Sequence, residues 1–137
     1  MSHFVECETT FRDPQALVAA LVECGFEESR IEVHQDTVAL YGYQGDVRPQ
    51  KAHIVIRRQH VGTAANDVGW ERMPDGTFRA WISEYDQRHR FNPEMQSRIK
   101  QEYAYQVISR QQRSLGRSVE RQRLPSGEIE MTIGGYR

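Results

Sequence analysis

The chain has 137 residues with 18 Lys+Arg against 19 Asp+Glu, a formal net charge of -1, and so lacks the basic balance by which a general nucleic-acid binder usually declares itself. Its length fits one domain over residues 1–137, long enough to bury roughly two thirds of the surface that the unfolded chain exposes. Apolar residues make up 38 % and the mean hydropathy is -0.73, which implies a modest core beneath a heavily charged surface. The regular alternation described below excludes disorder. Cys7 and Cys24 lack Cys-x-x-Cys spacing, no apolar segment follows Met1, and no run is long enough to span a membrane. These features predict a cytoplasmic protein with reduced thiols.

In chain order, Val5, Cys7, Thr9 and Phe11 alternate with Glu6, Glu8 and Thr10, which predicts a first strand with one wet face. Asp13-Pro14 then supplies an N-cap and a first helical residue, and Leu17, Val18, Leu21 and Val22 form an apolar stripe. Gly25 closes this helix, with Phe26 placed to fold back on Leu21. Ile31 and Val33 begin a second strand, His34-Gln35-Asp36 reads as a turn, and Thr37 to Tyr41 resume strand chemistry. A glycine-punctuated loop over 42–49 leads to a strand over 52–58 in which Ile54 and Ile56 face one way and Val55 and Arg57 the other.

Asp67–Met73 and Thr77–Tyr85 flank the turn Pro74-Asp75-Gly76, where proline presets one dihedral and glycine supplies the positive one. Gly69, between Asp67 and Trp70, suggests a bulge. Asn92-Pro93 repeats the cap-plus-proline start and opens a helix carrying Met95, Ile99, Tyr103, Val107 and Ile108. Ser118–Leu124 and Glu128–Ile133 around Pro125-Ser126-Gly127 form a closing hairpin, with Ile129, Met131 and Ile133 expected against the sheet. The predicted class is α+β: a mostly antiparallel sheet with two helices packed on one face, in the order β-α-β-β-β-β-α-β-β.

Catalysis finds no positive signal. His3, His34, His53, His60 and His89 are scattered without metal-ligand spacing, no serine sits in a nucleophile elbow, and no phosphate-loop or dinucleotide fingerprint occurs. No metal and no cofactor is expected. Tyr43 and Gln44, between Gly42 and Gly45, are the leading interaction candidates, since a glycine-flanked turn shows both side chains to whatever lies outside. The opposing reading folds Tyr43 back as a lid on the sheet edge. Arg57 at the end of the adjoining strand, Trp70 and Tyr105 complete the candidate partner-binding set, although tryptophans such as Trp70 and Trp81 are more often core than ligand platform. Arg110, Arg113, Arg117, Arg121 and Arg123 crowd the last third, as a solvated helix face or as a basic surface for an acidic partner.

Ser2-His3-Phe4, Arg12-Asp13, Gly42-Tyr43-Gln44-Gly45, Ala52-x-Ile54-Val55-Ile56-Arg57, Asp67-x-Gly69, Trp81 and Gln101-x-Tyr103-Ala104-Tyr105 together carry a resemblance. The chain is similar to the uncharacterised cyanobacterial and plastid family known as hypothetical chloroplast reading frame thirty-five, over Ser2 to about Ile108 and more weakly over Glu128–Ile133. Members of that family are often encoded beside an AAA+ ATPase, so the resemblance implies an accessory or adaptor role. The segment Gln87–Met95 and the arginine-rich Arg110–Arg123 region depart from the family pattern.

Three functions follow in order of support. The first is a non-catalytic adaptor that docks on a protein partner, an AAA+ ATPase by the resemblance, through the Gly42–Gly45 loop. The second is a nucleic-acid accessory protein that uses the C-terminal arginines. The third is an enzyme on a small polar substrate, with a cleft near Tyr43, His53 and Arg57. A homo-oligomer through an exposed sheet edge is compatible with any of them.

Overall fold

A computed structural model describes residues 3–136 of the chain. Five strands, β1 (Phe4–Glu8), β2 (Ile31–Tyr41), β3 (Val47–Ile56), β4 (Val68–Arg72) and β5 (Phe78–Ser83), form a sheet in the order β1-β5-β4-β3-β2. Every neighbouring pair in it is antiparallel. Helices α1 (Pro14–Glu23) and α4 (Pro93–Ser114) are long; α2 (Arg58–Val61) and α3 (Glu84–Gln87) are single turns that leave the predicted order intact. Strands β6 (Arg117–Arg123) and β7 (Ile129–Tyr136) pair with each other in a separate two-stranded sheet. The α+β class and the element order are as the sequence predicts.

Local chemistry accounts for the two long helices. Asp13 accepts from the amides of Gln15 and Ala16, and Asn92 from that of Met95, so each N-terminus is capped and followed by proline. At the far end of α1 the Phe26 amide reaches back to the Leu21 carbonyl at 3.1 Å, as the placement of Gly25 and Phe26 predicts. Leu17 and Leu21 are buried against Ile54, Ile56, Val68, Trp70, Phe78 and Ile82. Phe91 stacks on Phe26 at 5.3 Å and meets Trp70 edge-on at 6.0 Å. Tyr103 of α4 accepts the backbone amides of Arg12 and Asp13 through its hydroxyl, which ties the entry of α1 to α4.

Four expectations are corrected. The first strand stops at Glu8 and not at Phe11, because the Thr9 hydroxyl takes the Phe78 carbonyl that would continue the ladder. His34-Gln35-Asp36 lies inside β2 and makes no turn: residues 34–37 oppose His53 alone, a large bulge. Pro49 belongs to β3, which begins at Val47, and sits beside a second irregularity between Ala39 and Tyr41. Gly69 makes no bulge, since it pairs in register with Val55 and Trp81.

The need for glycine at 69 has another cause. Beyond the bulge at 34–37, the distal half of the β2–β3 hairpin bends over the sheet face opposite the helices. Leu40, Ala52 and Val55 bury there together, with Phe4, Val38 and Trp81 partly covering them. A Cβ on Gly69 would lie 2.6 Å from the Ala52 Cβ and 3.0 Å from a Leu40 methyl. The sheet therefore has two covered faces: one under α1 and α4, the other under its own folded hairpin.

The β6–β7 hairpin packs on α4 and not on the main sheet, and Ile133 is exposed, contrary to the expectation that it faces that sheet. Its attachment is ionic. Glu102 of α4 is buried and receives Arg121 and, at 3.2 Å, Arg123. Arg121 also lies over the Tyr105 ring at 4.1 Å.

Gly69→Ala forces Leu40 and Ala52 apart and is expected to destabilise the protein by about 1–3 kcal/mol, the usual range for overpacking. A urea melt measures this; an unchanged midpoint would contradict the folded-over hairpin.

Candidate docking site at the hairpin tip

The tip joining β2 to β3 is a three-residue loop, Tyr43-Gln44-Gly45. The Gly45 amide donates to the Gly42 carbonyl at 2.9 Å and the Gly42 amide to the Asp46 carbonyl at 2.8 Å. Gly45 takes a φ of +80°, the left-handed residue that follows a tight turn in hairpins of this length.

Beneath the tip lie Asn66 and Asp67, both buried, at the end of the loop that enters β4. The Asp67 carboxylate accepts from the Tyr41 amide at 2.8 Å, the Arg58 amide at 2.7 Å and the Arg57 guanidinium at 2.8 Å. The Asp67 amide donates to the Tyr41 carbonyl at 2.9 Å, so Tyr41 is held through both of its backbone groups. Tyr43 is held likewise: its amide donates to the Asn66 side-chain oxygen at 2.9 Å, and its carbonyl accepts from the Arg58 guanidinium at 3.1 Å. Asn66 is fixed in turn by Ser83 and Asp86, its side-chain amide donating to the Ser83 hydroxyl at 2.9 Å and its backbone amide to the Asp86 carboxylate at 3.1 Å. Ser83 caps α3, accepting from the Asp86 amide at 3.0 Å.

Arg57 joins this anchor to the two halves of the bent hairpin. It grips Glu32 of the proximal half in a two-pronged pair at 2.8 and 3.0 Å, donates to the Ala39 carbonyl of the distal half at 3.0 Å, and meets Asp67. Its guanidinium stands 5.6 Å from the Tyr41 ring centre. Burial alone would raise the Glu32 carboxyl, but the hydrogen bonds from Arg57 and His34 outweigh it and hold the group below its ordinary value. Burial likewise opposes the charge on Arg57, and its bonds to Glu32 and Asp67 more than restore it.

The outer surface of the tip is open to solvent, although Asp46 pairs with Arg48 at 2.8 Å. Tyr41, Gln44, Asp46 and Val47 are exposed and Tyr43 is half-buried. Neither the lid reading nor the fully projecting reading of Tyr43 describes this: its backbone is fixed while its side chain stays partly open.

The candidate partner-binding residues do not form one surface. Tyr43, Gln44 and Arg57 come together around the tip. Trp70 is 2 % exposed in the helix-side core, where Phe91 covers it, so it is unavailable to a partner. Tyr105 sits on α4 beneath Arg121, where the closing hairpin packs. Among the C-terminal arginines, Arg110 pairs with Asp13 at 3.6 Å, Arg117 with Gln112 at 3.2 Å, Arg121 with Glu23 and Glu102, and Arg123 with Glu102. Arg113 is exposed in the last turn of α4. His53 accepts from the Arg72 amide at 3.0 Å, at the end of β4 remote from the Ile56–Val68 pair where Arg57 and Asp67 lie, so Tyr43, His53 and Arg57 do not line one cleft.

The residues that organise the tip and escape sequence reasoning are Glu32, Asn66, Asp67, Ser83 and Asp86. The available signal was the Asn66-Asp67 pair directly before a buried strand, where polar side chains are enclosed with the backbone they satisfy. Among the described residues no group of three or more His, Cys, Asp or Glu side chains gathers as a metal site, and no helix is long and apolar enough to cross a membrane. Cys7 and Cys24 are free thiols. Ser2 of the resemblance motif lies outside the described residues.

Asp67→Asn leaves the shape but removes the charge opposite Arg57 and aims an amide donor at other donors. Breaking a buried pair costs about 3–5 kcal/mol, and the partial exposure of Arg57 places this variant near the lower end. Glu32→Gln, at a more open site, is expected to cost under about 1 kcal/mol; denaturant melts of the two variants give the ranking. Because the folded Glu32 carboxyl is depressed, its contribution is complete above the ordinary glutamate range and fades as the pH falls through the folded value. Wild type therefore loses more stability than Glu32→Gln in that acid range, read as the difference between their melts against pH.

No curated protein and no solved structure matches the chain. A family described as a protein of unknown function, DUF1257, matches residues 25–132, which takes in the bent hairpin, its buried anchor, α4 and most of the closing hairpin, and the chain belongs to that family.

Proposed function

We propose that the protein is a non-catalytic docking module whose recognition element is the Tyr41–Val47 hairpin tip. The observation that carries this reading is the fixed backbone of the tip: buried Asn66 and Asp67 hold both backbone groups of Tyr41 and the amide of Tyr43, while Gln44 and Val47 stay exposed. A loop already held in one conformation loses little conformational entropy on binding, so its few contacts count fully toward affinity. Tyr41 and Val47, 40 % and 65 % exposed, give it apolar anchors, and Gln44 and Asp46 give it polar specificity.

The finer reading places the chain with the hypothetical chloroplast reading frame thirty-five group within its family. It works there as a cytoplasmic adaptor for a protein partner, an AAA+ ATPase by that resemblance. Use of the C-terminal arginines for nucleic acid has less support, because Arg110, Arg117, Arg121 and Arg123 already meet partners within the chain. An exposed sheet edge for self-association is compatible with the docking role.

Affinity purification of tagged protein from its native host tests the reading. Wild type is expected to retain a stoichiometric protein partner that Tyr43→Ala and Gln44→Ala, made together, lose by tenfold or more while melting at the wild-type temperature. Retention of every partner by that double variant would remove the tip from the proposal, and salt-removable nucleic acid in its place would transfer the role to the arginines.

A further inference from the structure

The closing hairpin has no interior of its own. From Arg117 to Gly134 no described residue is buried, and β6 and β7 pair with each other in a sheet separate from the main one. A lone two-stranded hairpin is marginal in water, so β6–β7 depends on what holds it to α4. Segments with few buried apolar contacts lie at the low end of local stability.

The hold is concentrated in two arginines of one strand. Arg121 and Arg123, two positions apart on β6 and so on one side of it, converge on the Glu102 carboxylate, Arg123 at 3.2 Å. Arg121 also reaches Glu23, the last residue of α1, at 3.3 Å. The pairing is lopsided, since Glu102 is 2 % exposed whereas both arginines are exposed. Lifting the hairpin returns Glu102 to water and leaves the arginines hydrated, an exchange that comes close to balance where loss of apolar burial would not. Cys24 directly follows α1 and is buried, and the charges of Glu102 and Arg123 both act on its thiol, so it lies beside this clasp. The joint between α4 and β6 is Leu115-Gly116, where Leu115 is exposed and Gly116 takes a φ of +76°.

We propose that β6–β7 is an electrostatic strap that lifts as one unit about Leu115-Gly116 while the main sheet stays folded, uncovering Glu102 and Cys24. Ionic strength sets how often it lifts, because the contact that closes it is an ion pair with one wet side. The strap shares no residue with the hairpin tip and does not depend on the docking role.

The test follows the full chain by amide exchange in β6–β7 and by iodoacetamide labelling of Cys24, mapped by peptide mass so that Cys7 is read separately. Raising potassium chloride from about 0.05 to about 0.5 M is expected to speed both about tenfold. The amides of Val55 and Ile82 and the labelling of Cys7 stay unmoved. Glu102→Gln removes the charge and keeps the shape, so it is expected to show the high-salt rates at low salt, with little further response. Its melt by tryptophan emission matches wild type, because Trp70 and Trp81 pack in the two apolar clusters of the main sheet. Arg123→Gln, on the exposed side of the clasp, moves the rates the same way by less. Identical rates at both salt concentrations in wild type would overturn the proposal, as would opening of β6–β7 and Cys24 only together with Val55 and Ile82. So would lifting that grows with protein concentration and comes with a doubled mass, which would mark exchange of the hairpin between two copies of the chain.

Discussion

The meeting of Arg57 with Asp67 is the contact on which the remainder of this structure depends. Arg57 directly follows β3, Asp67 leads into β4, and the same guanidinium holds Glu32 and the Ala39 carbonyl on either side of the bulge in β2. One side chain therefore fixes how far the hairpin bends. A buried carboxylate such as Asp67 is tolerable only when its charge is opposed and its lone pairs are occupied. Asp67 meets both conditions with one guanidinium and two backbone amides, and those amides belong to Arg58 and to Tyr41. The electrostatic need of the interior and the position of the exposed tip are thus a single constraint.

The bent hairpin also explains how a polar chain closes a sheet on both faces. Two helices cover one side with Leu17, Leu21, Ile99 and their neighbours. Among the described residues no further long helix covers the other side, and the chain covers it with Leu40 and Ala52 from the hairpin itself, a thin layer that requires Gly69 below it. The closing β6–β7 hairpin follows a different rule. Among the described residues it contributes no member to either buried apolar cluster, and it is tied to α4 through Glu102. Part of this arginine-rich segment answers acids within the same molecule: Arg110 meets Asp13, and Arg121 and Arg123 meet Glu102.

Much of the architecture was legible in sequence because its signals are local. Asp13-Pro14 and Asn92-Pro93 start helices by satisfying free amides within the next three residues, and Pro74-Asp75-Gly76 turns a hairpin by dihedral preference alone. Alternation in 52–58 correctly separated Ile54 and Ile56 from Val55 and Arg57. The failures are long-range. His34-Gln35-Asp36 has turn composition, yet strand pairing on both sides carries β2 through it as a bulge. Gly69 carries the composition of a bulge but answers to Leu40 and Ala52, from strands that sequence could not place over it. Asn66 reads as the end of a loop and Asp67 as the start of a strand arm, and neither shows its role locally because their partners, Tyr41, Tyr43, Arg57 and Asp86, lie 10 to 26 positions away. Trp70 was grouped with the tip by chemistry, whereas strand parity sends it to the opposite face.

The most direct test of this account is native-state hydrogen exchange at the Tyr41 and Tyr43 amides, read residue by residue by NMR. Both flank an exposed turn, where amides ordinarily exchange fast, but they donate to the buried side chains of Asp67 and Asn66. The account predicts protection close to that of Val55 and Ile82 in the sheet, so that the tip opens only when the sheet opens. Exchange of these two amides near the rate of an unstructured chain, with Val55 and Ile82 still protected, would contradict it: the tip would then be an ordinary flexible loop with no anchor beneath it.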